Sequence, residues 1–238
     1  MRAPATPRVR VPVMLHHWRH VSFLHWRYPV DVVRGLVPPQ LRVQNFDGSA
    51  WVGLVPFLMD DVRAPGVPAP PWLGRFPETN LRTYVHGPDG EGVWFHSLDA
   101  GRLLPVLTAR VTYGLPYFWA SMSVRRTGDE VTYRSRRRWP GPVGGRADLH
   151  VTLGDPRPEP DLSALDHFLT ARHRLYSTVA GRLVVADAEH PPWPLRRAQA
   201  TGVRQDLTRA AGLPDPDHEP LVHASDGVRV RVSRWRWA

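Results

Sequence analysis

The chain has 238 residues, of which 31 are basic and 22 acidic, and it contains no cysteine. This length suffices for one domain with a buried core, and the lack of cysteine excludes disulfides, zinc ribbons, iron–sulfur clusters and a thiol nucleophile. No apolar run approaches a bilayer span, and proline and arginine interrupt residues 1–13. We therefore expect a cytoplasmic protein with neither a signal peptide nor a membrane partner.

Every basic residue is an arginine, and the formal net charge is +9. Such a charge is compatible with an anionic partner. The many alanines, prolines and glycines indicate that this positive charge reflects the codon usage of a GC-rich genome. We therefore expect no nucleic-acid partner. The lack of lysine has a firmer consequence, because no lysine side chain can form a Schiff base or hold pyridoxal phosphate.

The hydrophobic pattern predicts one α+β domain at 14–238, preceded by a flexible N-terminal arm at 1–13. Proline-rich residues 63–77 read as a long surface loop. The helix predicted at 161–180 begins at Asp161 or Ser163 as its cap. Alternation predicts strands at 15–26, 41–46, 50–59, 78–86, 93–98, 117–126, 131–138, 147–153 and near the C-terminus, and helical spacing predicts helices at 29–38, 101–113 (apolar face Leu103, Leu104, Leu107 and Val111), 161–180 and 203–212.

Residues 78–86 form the most informative predicted strand. One face carries Glu78, Asn80, Arg82 and Tyr84, while the other carries leucine, valine and threonine. Polar side chains are costly to bury without partners, so the first face points either to solvent or into a polar cavity. In a cavity, Arg82 would bind a carboxylate or enolate. Glu78 would then be a candidate acid or base, with a pKa set by burial against the Arg82 charge.

Four histidines, His16, His17, His20 and His25, lie within ten residues near the N-terminus. Metal binding needs ligands that converge, and this segment reads as a strand without a His-Glu-x-x-His motif. We therefore expect no metal site. His25 lies inside the strand pattern and is the histidine that we expect to face the interior.

An arginine cluster lies on the second strand of the hairpin predicted at 117–138. Arg134, Arg136 and Arg138 share one face of that strand. They read either as a phosphate-binding surface or as a solvated edge hairpin whose charges block further strand pairing. The second interpretation describes the more common situation.

Seven ordered phrases resemble the YqjF-like uncharacterised proteins, a branch of the acetoacetate decarboxylase-like superfamily. The resemblance implies a cone-shaped, closed antiparallel β-barrel with a polar interior cavity and a few flanking helices, which favours the cavity interpretation of the Glu78 face. The phrases are FLHWRYPVDVVRGLVPPQL (23–41), DGSAWVGLVPF (47–57), FPETNLRTYV (76–85), FHSLDA (95–100), TYGLPYFWA (112–120), HFLTARHRLY (167–176) and HPPWPL (190–195).

In the decarboxylases of this superfamily, a helix leads to Pro-Lys-Lys, and the first lysine forms the Schiff base with the substrate. Here the helix carries Arg110, and the resemblance places Tyr117 where that lysine would be and Phe118 where its neighbour would be. Arg27 is the nearest match to an active-site arginine of the family, and Glu78 looks similar to a cavity glutamate. Imine catalysis is therefore lost in this chain.

What remains is a cavity that could bind an oxo acid or acyl compound and move protons. We expect a cofactor-free enzyme doing acid–base chemistry (a hydro-lyase, an isomerase or a non-imine lyase) on a small carboxylate or carbonyl compound. The alternative is a non-catalytic protein that binds or senses a metabolite in the same cavity. The resemblance is also compatible with a homo-oligomer. The expected catalytic residues are Glu78 and Tyr117, and the expected substrate-binding residues are Arg82, Asn80, Tyr84, His25, Arg27 and Arg110.

Overall fold

The computed structural model describes residues 8–141 and 144–238. Within these residues no helix is long and apolar enough to cross a membrane. The described helices are α1 (Val30–Arg34), α2 (Leu103–Tyr113), α3 (Ala164–Thr170) and α4 (Leu207–Ala210), with a 3₁₀ turn at Glu159–Asp161. The described strands are β1 (Pro12–Tyr28), β2 (Arg42–Val43), β3 (Asn45–Phe46), β4 (Ser49–Arg63), β5 (Phe76–Gly87), β6 (Gly90–Ala100), β7 (Tyr117–Thr127), β8 (Glu130–Trp139), β9 (Arg146–Pro156), β10 (Arg174–Val179), β11 (Arg182–Glu189), β12 (Leu195–Gln205), β13 (Leu221–Ser233) and β14 (Arg236–Trp237).

The described strands belong to one sheet. Its long strands pair in the order β5, β6, β7, β8, β9, β12, β13, β1 and β4, and β4 pairs again with β5. These pairs are antiparallel except for β6 with β7, and β10 also joins β6 in parallel. The expectation of an antiparallel sheet is therefore wrong at these two pairs. The chain runs from β6 to β7 through α2, and a crossover of this kind is what a parallel neighbour requires.

Strand β5 is buried on both of its faces. On one face, Leu81 and Val85 join Leu24, Leu54 and other apolar side chains in the largest core cluster. The other face is the polar one, and it is enclosed as well. Of the two interpretations of this face, solvent exposure is wrong, and the enclosed polar face defines the candidate site.

The described part of the predicted N-terminal arm packs on the sheet. Val9 is buried, its backbone N–H donates to Glu189 Oε2 at 2.7 Å, and its carbonyl accepts from Arg231 at 2.8 Å. Strand β1 already begins at Pro12. Residues 1–7 of the predicted arm lie outside the described residues.

The helix predicted at 161–180 is much shorter in the structure. Ser163 caps α3, because its hydroxyl accepts the Asp166 N–H and the Asp166 carboxylate accepts the Ser163 N–H. Arg157 and His223 also donate to Asp166, so the start of α3 is fixed from three sides. The helix ends at Thr170, and the residues that follow form β10 between β6 and β11. Those long-range pairings override the local helical spacing.

The prediction that α2 packs on the core through its leucine face is wrong. Leu103, Leu104, Leu107 and Val111 are exposed, while Val106 is buried. The helix has the predicted position, but it lies on the outside of the sheet with a different side inward. It therefore presents four apolar side chains to solvent.

Candidate active site

A cavity of about 130 Å³ lies inside the sheet, against the polar face of β5. Glu78, Asn80 and Arg82 line it in succession, as the two-residue period of the strand predicts. Tyr117 from β7 lines it as well. The relative exposures of the three β5 residues are 2%, 8% and 8%. Apolar and aromatic side chains form most of the remaining wall, so the polar groups act in a dry environment.

Glu78 and Tyr117 are directly bonded to each other. The Tyr117 hydroxyl donates to Glu78 Oε2 at 3.1 Å. Burial raises the pKa of Glu78 to about 8, hydrogen bonds from Tyr117 and Asn80 oppose that rise, and the Asp99 charge adds to it. We expected burial to act on this pKa against the Arg82 charge; burial is its main cause, and the opposing effect comes from these hydrogen bonds instead of Arg82. Burial also raises the pKa of Tyr117 well above its ordinary value, so the phenol stays a donor.

Arg82 is a buried cation without a carboxylate partner among the described residues. Its Nη2 donates to the Leu169 carbonyl at 3.3 Å, and its guanidinium lies over the rings of Phe23 and Tyr84 at 5.6 and 5.8 Å. The other two arginines that line the cavity are neutralised, Arg172 by Glu91 at 2.7 Å and Arg174 by Asp187 at 3.1 Å. Within residues 8–141 and 144–238, the cavity therefore carries one uncompensated positive charge.

Tyr84 and His25 lie behind Arg82 rather than on the cavity wall. The Tyr84 hydroxyl donates to the Leu169 carbonyl at 2.7 Å and lies 2.6 Å from His25 Nε2. Because that hydroxyl has one hydrogen, His25 Nε2 must carry a proton and donate to it. Burial, with His223 and Arg82 adding to it, holds the pKa of His25 well below its ordinary value. Both residues are buried as predicted, and they support the carbonyl that binds Arg82.

Arg27 and Arg110 do not line the cavity. Arg27 is exposed and its guanidinium lies over the Trp51 ring at 5.1 Å. Arg110 donates to the backbone carbonyl of Tyr117 at 2.7 Å and lies over the Trp139 ring. Neither side chain therefore lies on the wall of this cavity, where we expected a contact with substrate. Arg110 instead holds the backbone of a lining residue.

Several residues of the cavity wall were not predicted from the sequence. Arg172 sits between α3 and β10, with its guanidinium 4.7 Å from the centre of the Phe168 ring and 5.3 Å from that of Tyr84. His16 and Trp18 come from β1, and Trp193 stacks on Trp18 at 6.0 Å. In the sequence, Arg172 differs from its surroundings in one respect. It is a charged residue at the helical spacing of the apolar residues in the helix predicted at 161–180.

A buried ion pair lies beside the site. Arg137 Nε donates to Asp99 Oδ1 at 2.9 Å, and Arg137 Nη2 donates to Ser97 Oγ at 2.6 Å. The Arg137 guanidinium stacks on the Phe118 ring at 3.9 Å. Burial raises the pKa of Asp99 to about 6 against the opposing charge and hydrogen bond of Arg137. A permanent cation thus lies against Phe118, next in the chain to Tyr117.

The N-terminal histidines are distributed along β1 and do not converge. Among residues 8–141 and 144–238, no group of three or more histidine, aspartate or glutamate side chains is placed to hold a metal ion. His16 is held neutral, since burial lowers its pKa to about 4.

Comparison with known proteins shows the family of the chain. Residues 16–229 match DUF2071, a family of uncharacterized conserved proteins, and the chain belongs to it. The chain is also similar to the uncharacterized protein YqjF of Bacillus subtilis (strain 168), with 37% identity over 211 residues that cover 89% of this chain and 86% of the relative. The expected kinship with the YqjF-like proteins is confirmed.

Solved structures confirm the acetoacetate decarboxylase-like fold. Acetoacetate decarboxylase from Legionella pneumophila subsp. pneumophila str. Philadelphia 1 matches with a TM-score of 0.68 and 13% identity, over 99% of this chain and 92% of that one. The enduracididine biosynthesis enzyme MppR, complexed with pyruvate, matches with a TM-score of 0.66 and 16% identity, over 95% of this chain and 91% of that one.

Proposed function

We propose that the chain binds a small oxo monocarboxylate in this cavity and moves a proton to or from the carbon next to its carbonyl, without a Schiff base. In this proposal the strands close into a cone-shaped barrel, because β4 pairs again with β5, and the site lies inside it. The acid and the cation both come from side chains of the chain itself. Isomerisation and dehydration next to a carbonyl begin with this proton transfer, whereas non-imine bond cleavage next to a carbonyl forms the enolate directly and ends with proton return to the carbon.

The observation that carries the proposal is the uncompensated charge of Arg82. A buried guanidinium without a counter-ion is unfavourable, and a bound carboxylate would neutralise it with charge-assisted hydrogen bonds. Arg172 and Arg174 already have carboxylate partners. One unpaired cation on the wall formed by the described residues therefore favours a ligand with one negative charge.

Glu78 supports the proton transfer. At neutral pH most of it is protonated, and the ionised fraction is the base. Ionised Glu78 would take a proton from the carbon, the bonding electrons would move to the carbonyl oxygen, and an enolate would form. Tyr117 would turn its hydroxyl to that oxygen. Return of the proton from Glu78 restores the ketone and the carboxylate.

Pyruvate is a suitable first probe. It has one carboxylate, one carbonyl and exchangeable methyl protons, and it is small enough for a cavity of about 130 Å³. MppR, which shares the fold, has been solved in complex with pyruvate. The longer 2-oxobutanoate tests how much further the site extends.

The experiment follows exchange of the methyl protons of pyruvate in D₂O by NMR, with binding measured by calorimetry on the same preparations. We expect exchange with the wild type, loss of exchange but retained binding with Glu78→Gln, and loss of binding with Arg82→Gln. Glu159→Gln, an exposed carboxylate outside the cavity, is the matched control and should behave as the wild type.

The other outcomes separate the two candidate functions. If neither oxo acid binds the wild type, the substrate class is wrong. If one binds but none of its protons exchange, the protein binds a metabolite without turning it over, and the catalytic proposal fails.

A further inference from the structure

A second cavity lies on the outer surface, far larger than the first. It has a volume of about 840 Å³, and Arg134, Arg136, Arg138 and Arg146 line it. We name it the arginine groove after these four residues. The first three come from β8 and the fourth from the start of β9.

The groove places one pair of like charges directly opposite each other. In the pairing of β8 with β9, Arg136 faces Arg146, an arrangement that destabilises a sheet, whereas Arg134 faces Asp148, a residue of opposite charge. None of the four guanidinium groups has a carboxylate within 4 Å or a hydrogen bond to another described residue. Asp148 and Asp206 also line the groove, as does Arg137, whose charge Asp99 neutralises, so four unpaired cations face two carboxylates among the described residues. The Asp206 carboxylate accepts instead from the backbone N–H of Arg146 at 2.6 Å.

Protection of a sheet edge does not explain these charges. Strand β8 pairs with β7 along one side and with β9 along the other, so it lies inside the sheet. The interpretation of the hairpin as an edge whose charges block pairing is wrong. Arg136 on β8 and Arg146 on β9 keep a repulsion that an acidic or neutral residue at either position would remove.

We propose that the arginine groove binds the diphosphate or triphosphate group of a small phosphorylated molecule. Planar guanidinium groups match phosphate oxygens in a bidentate geometry, and several of them converge here in one concavity. A volume of about 840 Å³ lies within the usual range of small-molecule sites. A single-stranded nucleic acid would instead need a basic track with stacking aromatic side chains along it. This site is independent of the interior cavity and of its proposed chemistry.

The test measures binding of inorganic tripolyphosphate to the full chain by calorimetry at low salt. The variant is Arg136→Gln/Arg146→Gln. Its matched control is Arg125→Gln. Arg125 lies on β7 opposite Thr132, on the same face of the sheet as Arg134 and Arg136, and it is exposed but does not line the groove. We expect the double variant to lose at least about tenfold in affinity and the control to stay within about twofold of the wild type. ADP and ATP should compete with tripolyphosphate in the wild type.

Thermal unfolding supplies a readout independent of binding. Without tripolyphosphate the double variant should melt at a higher temperature than the wild type, because the repulsion is gone. Tripolyphosphate should raise the melting temperature of the wild type but not that of the variant. Three results would overturn the proposal: no saturable binding, an equal loss in Arg125→Gln, or an oligonucleotide that binds more tightly than tripolyphosphate with an affinity that grows with its length.

Discussion

The Tyr117 hydroxyl reaches Oε2 of Glu78 at 3.1 Å although strand β6 separates the strands that carry the two residues. On β6, Ala100 pairs with Glu78 on one side and Leu98 pairs with Tyr117 on the other. The small side chain of Ala100 leaves room for the two longer ones. The result is a neutral carboxyl–phenol pair in an apolar wall, which retains a proton at neutral pH.

Glu78 should make the stability of the protein depend on pH. In the unfolded chain its pKa is near the ordinary 4.5, whereas in the folded protein it is about 8. Between these values the unfolded chain has lost a proton that the folded protein keeps. The contribution of Glu78 to the free energy of unfolding therefore falls as pH rises from about 4.5 to 8 and then levels. Each pKa unit corresponds to ~1.4 kcal/mol, so the loss amounts to a few kcal/mol.

Glu78→Gln has no such proton, so its stability should lack this fall. Urea unfolding at pH 5, 6, 7, 8 and 9 checks this, with Glu159→Gln as the exposed control. The variant should gain stability relative to the wild type as pH rises and keep that gain above pH 8. Parallel curves for the two proteins would contradict the raised pKa.

Tyr117→Phe should shift the pH dependence of proton exchange. The Tyr117 hydrogen bond lowers the pKa of Glu78 against the effect of burial, so its removal raises that pKa further. The pH profile of kcat/KM for exchange, which reports the free protein, should move above its wild-type midpoint of about 8. A midpoint that stays in place or falls would show that the phenol does not stabilise the ionised carboxylate.

Strand β5 shows how far the sequence leads. Its strict alternation of polar and apolar residues predicts both the strand and the polar face, and three residues of that face line the cavity. Local periodicity could not show that the face is enclosed, because the enclosing residues come from distant strands. The resemblance to a barrel family supplied that information.

Arg172 shows where local patterns end. In the sequence, residues 161–180 have convincing helical spacing, but the chain turns after Thr170 so that β10 can pair with β6 and β11. That turn brings Arg172 to the cavity wall. The same limit applies to α2, whose leucines have the spacing of a buried face and yet lie outside. Spacing identifies a helix but not the side against which the sheet packs.

Replacement of Arg82 by methionine should separate binding from stability. Methionine keeps much of the shape and removes the buried charge, so Arg82→Met should unfold at the same or a higher urea concentration than the wild type. Pyruvate binding should weaken by about 100-fold, which corresponds to ~2.7 kcal/mol. Calorimetry and urea unfolding on the same samples test both effects. A marked loss of stability without loss of binding would assign Arg82 a structural role.

The pair of Asp99 and Arg137 should be costly to break from one side. Arg137→Met leaves a buried carboxyl without its cation, and such changes cost ~3–5 kcal/mol. Asp99 can escape part of this cost by binding a proton, so the loss should be smaller at pH 5 than at pH 8. The double variant Asp99→Asn/Arg137→Met should recover part of the stability at pH 8. Urea unfolding of the four proteins forms the cycle, and additive losses would show that the pair does not act as a unit.

Gly53 controls the position of the groups behind Arg82. A Cβ at this residue would lie 2.9 Å from Cδ2 and Nε2 of His25 and 3.4 Å from the Tyr84 hydroxyl. Gly53→Ala should therefore displace the His25 ring, disturb its bond to Tyr84 and shift the Leu169 carbonyl that binds Arg82. We expect a loss of ~1–3 kcal/mol in the free energy of unfolding, typical of an overpacked core.

Weaker pyruvate binding should accompany that loss, although position 53 itself does not line the cavity. Gly48→Ala is the control for adding a methyl group, because no atom lies within 4 Å of a Cβ at that turn, where the positive φ adds its own local strain. The control should lose some stability and keep its affinity for pyruvate. If Gly53→Ala also kept full affinity, the chain from His25 through Tyr84 to the Leu169 carbonyl would not position Arg82.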